Sequence, residues 1–235
     1  KDTVNDMVCS TISKMTGGEK LPENDSIIVL DGPYMNTTRK LLASGLVKGI
    51  QIHIIEVDLK THLLQKASGL ANCYHSKLEN FLKSNPKNVI QSIRAAFIDA
   101  MGMPEGNYTK CLYPMENLMI LLQKCCAKRL VLCTTFCFRS KGLFLEYNNM
   151  QEQIYDGYIV PCFKWCQYKS INRNFYSYKR NHSNGQTGQK MLFMTFELEK
   201  DGRINKNDAV FIKKEVMIDG EYREIFAGYS PDHKV

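Results

Sequence analysis

The chain has 235 residues and a mass of 27.0 kDa, which is long enough to bury a sizeable hydrophobic core. Its hydrophobic fraction of 44% and charged fraction of 23% are those of an ordinary soluble globular protein, and its apolar runs are too short to cross a bilayer, so no membrane partner is expected. The formal net charge of +7 is compatible with a polyanionic partner, although many proteins without one also have a basic surface.

The nine cysteines are odd in number, are scattered along the chain, and in several cases lie inside apolar, strand-like runs. This usage favours reduced thiols in a cytosolic or nuclear protein over a disulfide scaffold. The pairs Cys133/Cys137 and Cys162/Cys166 are spaced more widely than the Cys-x-x-Cys knuckles of structural zinc sites, so no metal site is predicted.

Residues 1–139 alternate between helical and strand-like patterns. Asn36 or Thr37 is expected to cap the second helix, and Gly45 is expected to end it. Short apolar strands separated by helices are typical of an open, mostly parallel α/β sheet. In chain order the predicted elements are a helix over 1–18, a strand over 26–30, a helix over 37–44, a strand over 50–58, a helix over 60–67, a short strand over 70–74, a helix over 76–84, a strand over 96–99, a helix beginning at Pro114 and a strand over 129–139.

The pattern changes after Gly142. A helix is predicted over 145–155, followed by two strands, NRNFYSYKRN and KMLFMTFELEK, around a polar loop. The last segment alternates around Asp219-Gly220, which is a strong hairpin-turn signal. The predicted layout is an N-terminal helix and linker over 1–25, an α/β domain over 26–200 and a C-terminal β-hairpin extension over 201–235.

Three predicted strands end in an acidic residue, namely Asp31, Glu56 and Asp99. Ligands of open α/β sheets bind beyond the carboxyl ends of the strands, so these side chains are expected to face one crevice. Asp31 and Glu56 are about 25 positions apart, which is close to the interval at which such folds place a ribose-binding acid on the second strand. The alternative is that each acid only begins a turn where a strand meets solvent.

The chain resembles a class I S-adenosylmethionine-dependent methyltransferase over residues 26–198, in the series IIVLDGPYMNTTRKLL, IQIHIIEVD, AAFIDAMG, RLVLCTTFCFR, NFYSYKRN and KMLFMTFEL. More loosely, DGPYMNTTRKLLASG resembles divergent methyltransferase-like proteins of large DNA viruses and protists. The resemblance implies a Rossmann-like open sheet of seven strands, mostly parallel, with an antiparallel terminal hairpin supplied by residues 174–198, and S-adenosylmethionine as the cofactor.

Carried over by position, the resemblance places Asp31 near the methionine part of the cofactor and Glu56 at its ribose. Cys73 to His75 or Asp99 would then flank the adenine or the active site. The N-terminus of the following helix would support the bound cofactor. The predicted cofactor-binding residues are Asp31, Gly32, Asn36, Thr37, Glu56 and Asp99.

The first loop departs from the family pattern. It usually reads acid-x-Gly-x-Gly, because glycine lets the backbone approach the ligand closely, whereas Gly32 is followed here by Pro33, Tyr34 and Met35. The motifs of the amino-methylating subclasses are missing after the fourth strand, where the sequence reads DAMGMPEGN. The fingerprints of nicotinamide-dependent dehydrogenases, P-loop enzymes and α/β-hydrolases are also absent, which disfavours those classes.

Residues 157–196 contain no acid and mix cations with aromatic rings. Cations follow phosphates, and aromatic faces stack on unpaired bases for about 1–3 kcal/mol each, so this stretch predicts nucleic-acid binding. The alternative is that the rings belong to the sheet core and the cations to a solvated face, although the alternation of NFYSYKRN puts some rings on each face. The predicted substrate contacts are Arg139, Lys164, Lys169, Arg173, Tyr178, Lys179 and Arg180.

Two hypotheses follow. The first is an enzyme that transfers a methyl group from S-adenosylmethionine to RNA or DNA, with no catalytic base assigned. The second is a catalytically inactive methyltransferase-like module that binds nucleic acid or a partner protein, the latter through the C-terminal hairpin. The acids at the strand ends favour the first hypothesis, and the single-glycine loop favours the second.

Overall fold

The computed structural model describes residues 2–84, 87–102, 114–138, 150–179, 190–206, 212–218 and 221–228. A single 3-10 turn over Gly49–Gln51 and a π-helical turn over Tyr155–Ile159 accompany the regular elements. Those elements are α1 (Asp2–Thr16), β1 (Ser26–Val29), α2 (Asn36–Ala43), β2 (Ile52–Glu56), α3 (Leu59–Ser68), β3 (Asn72–His75), α4 (Leu78–Ser84), α5 (Lys87–Gln91), β4 (Ile93–Gly102), α6 (Pro114–Lys124), β5 (Arg129–Phe138), α7 (Met150–Ile154), α8 (Val160–Trp165), β6 (Tyr168–Lys179), β7 (Lys190–Lys200), β8 (Ile212–Ile218) and β9 (Glu221–Gly228).

Seven strands form one sheet in the order β3-β2-β1-β4-β5-β7-β6. Strands β1 to β5 are parallel, and β7 runs antiparallel between β5 and β6. The prediction of a Rossmann-like, mostly parallel sheet with an antiparallel terminal hairpin is therefore confirmed. Strands β8 and β9 pair separately as an antiparallel hairpin. The predicted turn residues Asp219 and Gly220 lie outside the described residues, and the proposed domain limits stay a prediction.

Helices cover both faces of the sheet because its strands alternate between two apolar cores. Ile27 and Val29 of β1 face a core shared with Val8 and Ile12 of α1. Ile28, between them in the sequence, faces the opposite core, which includes residues of α4 and α6. Burying a side chain of this size contributes about 1.5–3 kcal/mol, so the continuous apolar runs that define the strands also stabilise the three layers.

The N-terminus of α2 corrects one prediction. Neither Asn36 nor Thr37 caps the helix, since the residue at the cap position is Met35, in the left-handed conformation with φ of 51°, and no side chain at that position accepts a hydrogen bond. Both predicted residues lie instead in the first helical turn. The acceptor comes from Asp31, whose carboxylate lies across the loop. Gly45 follows the helix with φ of 70°, as expected of a residue that ends one.

The helix predicted over 145–155 is longer than expected at its far end. Within the described residues it begins at Met150 and continues through the π-helical turn and α8 to Trp165. Pro161 lies just after the π-helical turn, inside this continuous helical segment, where it cannot donate a backbone hydrogen bond to the preceding turn. The helical segment therefore continues past a proline that sequence patterns alone take as a helix boundary.

The seven cysteines whose side chains the structure describes are all free thiols, and most of them are buried. Burial raises the pKa of the Cys166 thiol to about 12 and also raises that of Cys133, so both remain protonated. No described part of the chain groups three or more His, Cys, Asp or Glu side chains in a way that could hold a metal ion. Among the described helices, none is long and apolar enough to span a membrane.

Candidate ligand site at the carboxyl edge of the sheet

The three predicted acids lie at one level of the sheet, on three neighbouring strands. Val29 of β1 pairs with the β2 and β4 residues that stand two positions before Glu56 and Asp99. Asp31 stands two positions after Val29, so the three carboxylates form a row in the order Glu56, Asp31, Asp99. Thr135 of β5 pairs with Asp99 and extends this row of polar side chains. The three acids lie at one level as predicted, but Asp99 does not end its strand, because β4 continues to Gly102.

Asp31 fixes the loop between β1 and α2. Its side chain is buried, and both carboxylate oxygens accept backbone hydrogen bonds: Oδ1 from the N–H of Gly32 at 3.1 Å, and Oδ2 from the N–H of Thr38 at 2.8 Å. The second bond satisfies an amide in the first turn of α2 that has no partner within the helix. Asp31 therefore has a structural role in the loop, whatever else it binds.

Gln65 of α3 also supports this loop, and no sequence pattern predicts that role. Its Nε2 donates hydrogen bonds to the carbonyl oxygens of Asp31 at 2.8 Å and Gly32 at 3.3 Å. The side chain is fully buried, and its Oε1 has no hydrogen-bond partner in the described part of the chain. A loop with a single glycine is thus held by a buried glutamine from the neighbouring helix.

Glu56 has one carboxylate oxygen available at the crevice. Its side chain is half-buried, and Oε1 accepts a hydrogen bond from the N–H of Asp58 at 2.8 Å, while no described residue donates to Oε2. Val57, the next residue, is 58% exposed and presents an apolar surface beside the carboxylate. His75 of β3 pairs with Glu56 in the sheet, and its Nε2 donates to the carbonyl of Val57 at 3.0 Å.

His53 lies in β2, three positions before Glu56, and burial lowers its pKa to about 4. Its Nδ1 shares a hydrogen bond of 3.1 Å with the hydroxyl of Tyr74. The imidazole is therefore neutral near pH 7 and adds no positive charge to the edge of the sheet where the acids lie. The predicted role of Cys73 to His75 beside an adenine stays a prediction.

A small cavity lies between the ends of β1, β4 and β5, with a volume of about 40 Å³. This volume holds a few water molecules at most, whereas ligand pockets have volumes of roughly 300–1,000 Å³. The Oγ1 of Thr135 is buried and has no hydrogen-bond partner among the described residues. The polar residues that line the cavity are Asn5, Asp31, Asn36, Thr37, Asp99, Thr135 and Tyr178.

The first turn of α1 lines one side of the cavity through Val4 and Asn5. The Oγ1 of Thr37 donates a buried hydrogen bond of 2.8 Å to Oδ1 of Asn5, and Val4 is buried beside it. Asp6 forms an ion pair of 2.6 Å with Lys40 of α2. The predicted site residue Thr37 is therefore engaged with α1, whereas Asn36 is exposed at the rim of the cavity.

Tyr178 is the predicted substrate contact that lies beside the acids. It lines the cavity together with Asp99, and its ring stacks on that of Tyr176 at a centroid distance of 5.7 Å. The side chain of Lys179 is not among those the structure describes. Arg139 and Arg180 lie outside the described residues.

The other predicted substrate contacts lie away from the crevice. Lys169 stands at the amino end of β6, opposite the edge with the acids, and its ammonium lies 3.1 Å from Glu199 and 3.5 Å from Asp201. Arg173 lies 4.2 Å above the ring of Tyr155. The exposed Lys164 belongs to α8. A role for these cations in binding a substrate stays a prediction.

No protein-family model matches the sequence, and a comparison with curated proteins finds no match. Solved structures with a similar chain path include methyltransferases, two of them in complex with S-adenosylmethionine or S-adenosylhomocysteine. A SAM-dependent methyltransferase from Aquifex aeolicus is 11% identical, with a TM-score of 0.42 over 79% of this chain and 88% of that one. The plantazolicin methyltransferase BamL, in complex with a triazolic analog and S-adenosylhomocysteine, is 8% identical, with a TM-score of 0.49 over 83% of each chain.

A third similar structure is TYW2 from Methanococcus jannaschii in complex with S-adenosylmethionine. It is 12% identical, with a TM-score of 0.43 over 82% of this chain and 76% of that one. These likenesses concern the fold alone.

Proposed function

We propose that the chain binds S-adenosylmethionine at the carboxyl edge of the sheet and transfers its methyl group to an acceptor. The observation that carries the proposal is the row of Glu56, Asp31 and Asp99 at one level of three adjacent strands. The cofactor carries a positive sulfonium and an ammonium group, and a row of carboxylates favours such a cation even in a chain with a net charge of +7.

Glu56 suits the ribose, because its Oε2 receives no hydrogen bond from the described residues and can accept from two neighbouring hydroxyls. The exposed side chain of Val57 offers an apolar surface for the adenine next to it. Asp99 and Thr135 lie at the cavity where the methionine part would be held. The buried Oγ1 of Thr135, which has no partner among the described residues, supports a polar ligand at that point.

The donor set fits the cofactor, but the cavity has to enlarge. A volume of about 40 Å³ accommodates the methionine part only if the first turn of α1 moves away from α2. A buried hydrogen bond between Thr37 and Asn5 and an exposed ion pair between Asp6 and Lys40 join this end of α1 to α2, and Val4 is buried beside them. The two polar contacts are worth about 0.5–1.5 kcal/mol or less each and the burial of Val4 about 1.5–3 kcal/mol, so the binding energy of the cofactor has to exceed their combined cost.

When bound, the cofactor would supply a methyl group on a positively charged sulfur. An in-line displacement at such a carbon depends chiefly on how the acceptor is positioned, and the contribution of the protein is to hold the reacting groups in line and exclude water. Asp31 and Gln65 hold the β1–α2 loop in place, and Tyr178 lines the cavity where the methyl group would lie. No side chain is assigned as a general base.

We further propose a nucleic acid as the acceptor. The stacked rings of Tyr176 and Tyr178 lie next to the cavity, in a stretch without acidic residues, and suit an unpaired base. The ion pairs of Lys169 reduce its value for a phosphate, so the support comes from the aromatic pair and the net charge. We also propose, from the resemblance of residues 31–45, that the chain belongs to the divergent methyltransferase-like proteins of large DNA viruses and protists.

The second candidate function is a catalytically inactive module that binds nucleic acid or a partner protein. Two observations favour it: both oxygens of Asp31 are already bonded to backbone amides, and the cavity is small. Under this alternative, Asp31 only stabilises the turn after β1, and Glu56 only accepts a backbone hydrogen bond in the turn after β2. The two candidates differ in whether Glu56 binds a ligand.

The deciding experiment is calorimetric titration of the purified chain with S-adenosylhomocysteine. We expect micromolar binding that is lost in Glu56→Gln, because the amide replaces an acceptor oxygen with a donor. Glu23→Gln is the matched control. Glu23 is an exposed acid in the segment before β1, and it forms an ion pair with Lys48. Failure of the unmodified chain to bind would contradict the enzyme proposal and leave the inactive module.

The acceptor is tested separately with single-stranded RNA and DNA, by fluorescence anisotropy at two salt concentrations. We expect Tyr178→Ala to weaken binding by about 1–3 kcal/mol, the value of one stacked base. Ile171→Ala, on the exposed part of the same strand, is the control. Equal binding by both variants would contradict the role of the aromatic pair without touching the cofactor proposal.

A further inference from the structure

Helix α3 has its apolar and polar faces reversed relative to an ordinary surface helix. Its buried side chains are His62 and Gln65. Leu59, Leu63 and Leu64 are 54%, 55% and 54% exposed. A surface helix normally turns its leucines inward and its polar residues outward, so this arrangement needs an explanation.

The inward polar face of α3 is bonded to its surroundings, which fixes the rotation of the helix. Gln65 donates to two carbonyl groups of the β1–α2 loop, and the hydroxyl of Ser68 lies 3.2 Å from the sulfur of Met35. The ring of His62 stacks on that of His75 at 5.4 Å. Rotating the helix to bury the leucines would break these contacts. The leucines are therefore held outward by the fold.

The exposed leucines form a patch. The described residues include eight large hydrophobic side chains that are exposed, and four of them, Val57, Leu59, Leu63 and Leu64, belong to α3 or the segment just before it. Scattered exposed hydrophobics need no explanation, but a contiguous cluster marks an interaction surface. The three leucines form a shallow, open apolar surface along one side of α3, with Asp58 and Lys60 beside them.

We propose that this leucine face of α3, defined as Leu59, Leu63 and Leu64, binds an amphipathic helix with acidic flanks from another protein. Pairing of the apolar faces of two helices, as in coiled-coil zippers, is a common mode of helix recognition. Lys60 and Lys66 are exposed beside the leucines, and neither ammonium forms an ion pair with a described residue. Acidic side chains flanking the partner's apolar stripe would complement these two cations.

Charge argues against a second copy of the chain as the occupant. It would bring two proteins of net charge +7 together, with Lys60 and Lys66 of both copies in one interface. An anionic membrane would attract the lysines as an acidic helix does, so the test below includes lipid vesicles as a separate outcome. The inference does not depend on methyl transfer and stands or falls apart from the proposed function.

The test uses a fluorescein-labelled synthetic amphipathic helix, with leucines at helical spacing and glutamates on both flanks. A second peptide has lysines in place of the glutamates. Fluorescence anisotropy with the full chain is expected to show that the glutamate peptide binds at least about tenfold more tightly, an effect of the size of one favourable charge pair. Leu63→Glu should weaken binding of the glutamate peptide by at least about tenfold. Ile171→Glu, which places the same charge on an exposed hydrophobic residue of β6, should leave it unchanged.

Leu63 is exposed, so Leu63→Glu should fold, and circular dichroism checks this. Equal binding of the two peptides, no binding of the glutamate peptide, or undiminished binding by Leu63→Glu would each overturn the proposal. Sedimentation that shows a dimer of the unmodified chain, converted to a monomer by Leu63→Glu, would assign the face to a second copy. Co-sedimentation with phosphatidylserine vesicles, abolished by the same substitution, would assign it to a lipid surface.

Discussion

Replacing Asp31 should reveal how much of the acid row serves the fold. The carboxylate accepts a buried hydrogen bond from the N–H of Thr38 and a partly buried one from the N–H of Gly32. A buried hydrogen bond to a charged group contributes about 1.5–3 kcal/mol, while water can replace part of the second bond because Gly32 is exposed. We therefore expect Asp31→Ala to lower the free energy of unfolding by about 2–3 kcal/mol, within the range of a lost helix cap and a buried unpaired amide.

Two companion variants sharpen the expectation. Asp31→Asn keeps one acceptor oxygen and should cost about half as much. Glu56→Ala should cost less than about 1 kcal/mol, because the bond that Glu56 accepts from Asp58 is exposed to solvent. Glu56→Ala is therefore expected to be the most stable of the three variants, Asp31→Asn the next, and Asp31→Ala the least stable.

Urea unfolding near neutral pH measures these differences, followed by circular dichroism and by the fluorescence of Trp165, the single tryptophan. A loss of less than about 0.5 kcal/mol in Asp31→Ala would refute the structural role assigned to the carboxylate. A larger loss in Glu56→Ala than in Asp31→Ala would also refute the reasoning, because it would mean that the half-buried acid supports the fold more than the buried one.

Three further predictions concern other parts of the chain. Gly49→Ala should destabilise the fold by about 1–3 kcal/mol in urea unfolding, because the added Cβ would clash with the backbone carbonyl of Leu70. Burial lowers the pKa of His53 from 6.5 to about 4 in the folded state, so the unfolded state takes up the proton first and the free energy of unfolding falls as the pH drops from 6.5 to 4. His53→Gln should remove about 3 kcal/mol of that fall, measured by urea unfolding at pH values near 6.5 and near 4. Asn5→Ala removes the hydrogen bond to Thr37, which is worth about 0.5–1.5 kcal/mol. If the first turn of α1 limits access to the cavity, this variant should bind S-adenosylhomocysteine about two- to tenfold more tightly in calorimetry. Unchanged affinity would mean that the turn does not limit access.

The apolar runs predicted the sheet well because the strands are buried on both faces. Ile52, Ile54 and Ile55 of β2 are almost inaccessible to solvent, and such a continuous run has few alternatives to a central parallel strand. The level placement of Asp31 and Glu56 could be predicted for a related reason. Strand ends in a parallel sheet are set by where the apolar run stops, and both runs stop at an acid.

The support of the site could not be predicted, because it depends on contacts between distant segments. Gln65 is a polar residue in a helix, and sequence periodicity places such a residue in solvent, whereas the fold buries it under the loop. The partners of Lys169 lie about thirty positions along the chain, on β7 and beyond, so its ion pairs were invisible in a stretch without acids. The Asn5–Thr37 bond likewise joins segments that no local pattern relates.

The two faces of α3 connect the unusual loop to the unusual surface. The β1–α2 loop contains one glycine, Gly32, and Gln65 donates hydrogen bonds to the carbonyl groups of Asp31 and Gly32 in this loop. A helix that turns a glutamine inward at this point must turn the opposite side outward, and in this sequence that side holds Leu63 and Leu64. Polar support of the loop does not itself require leucines outside, since lysine or glutamate would serve a solvated face better. The leucines therefore call for a cause of their own, and a partner that covers them supplies it.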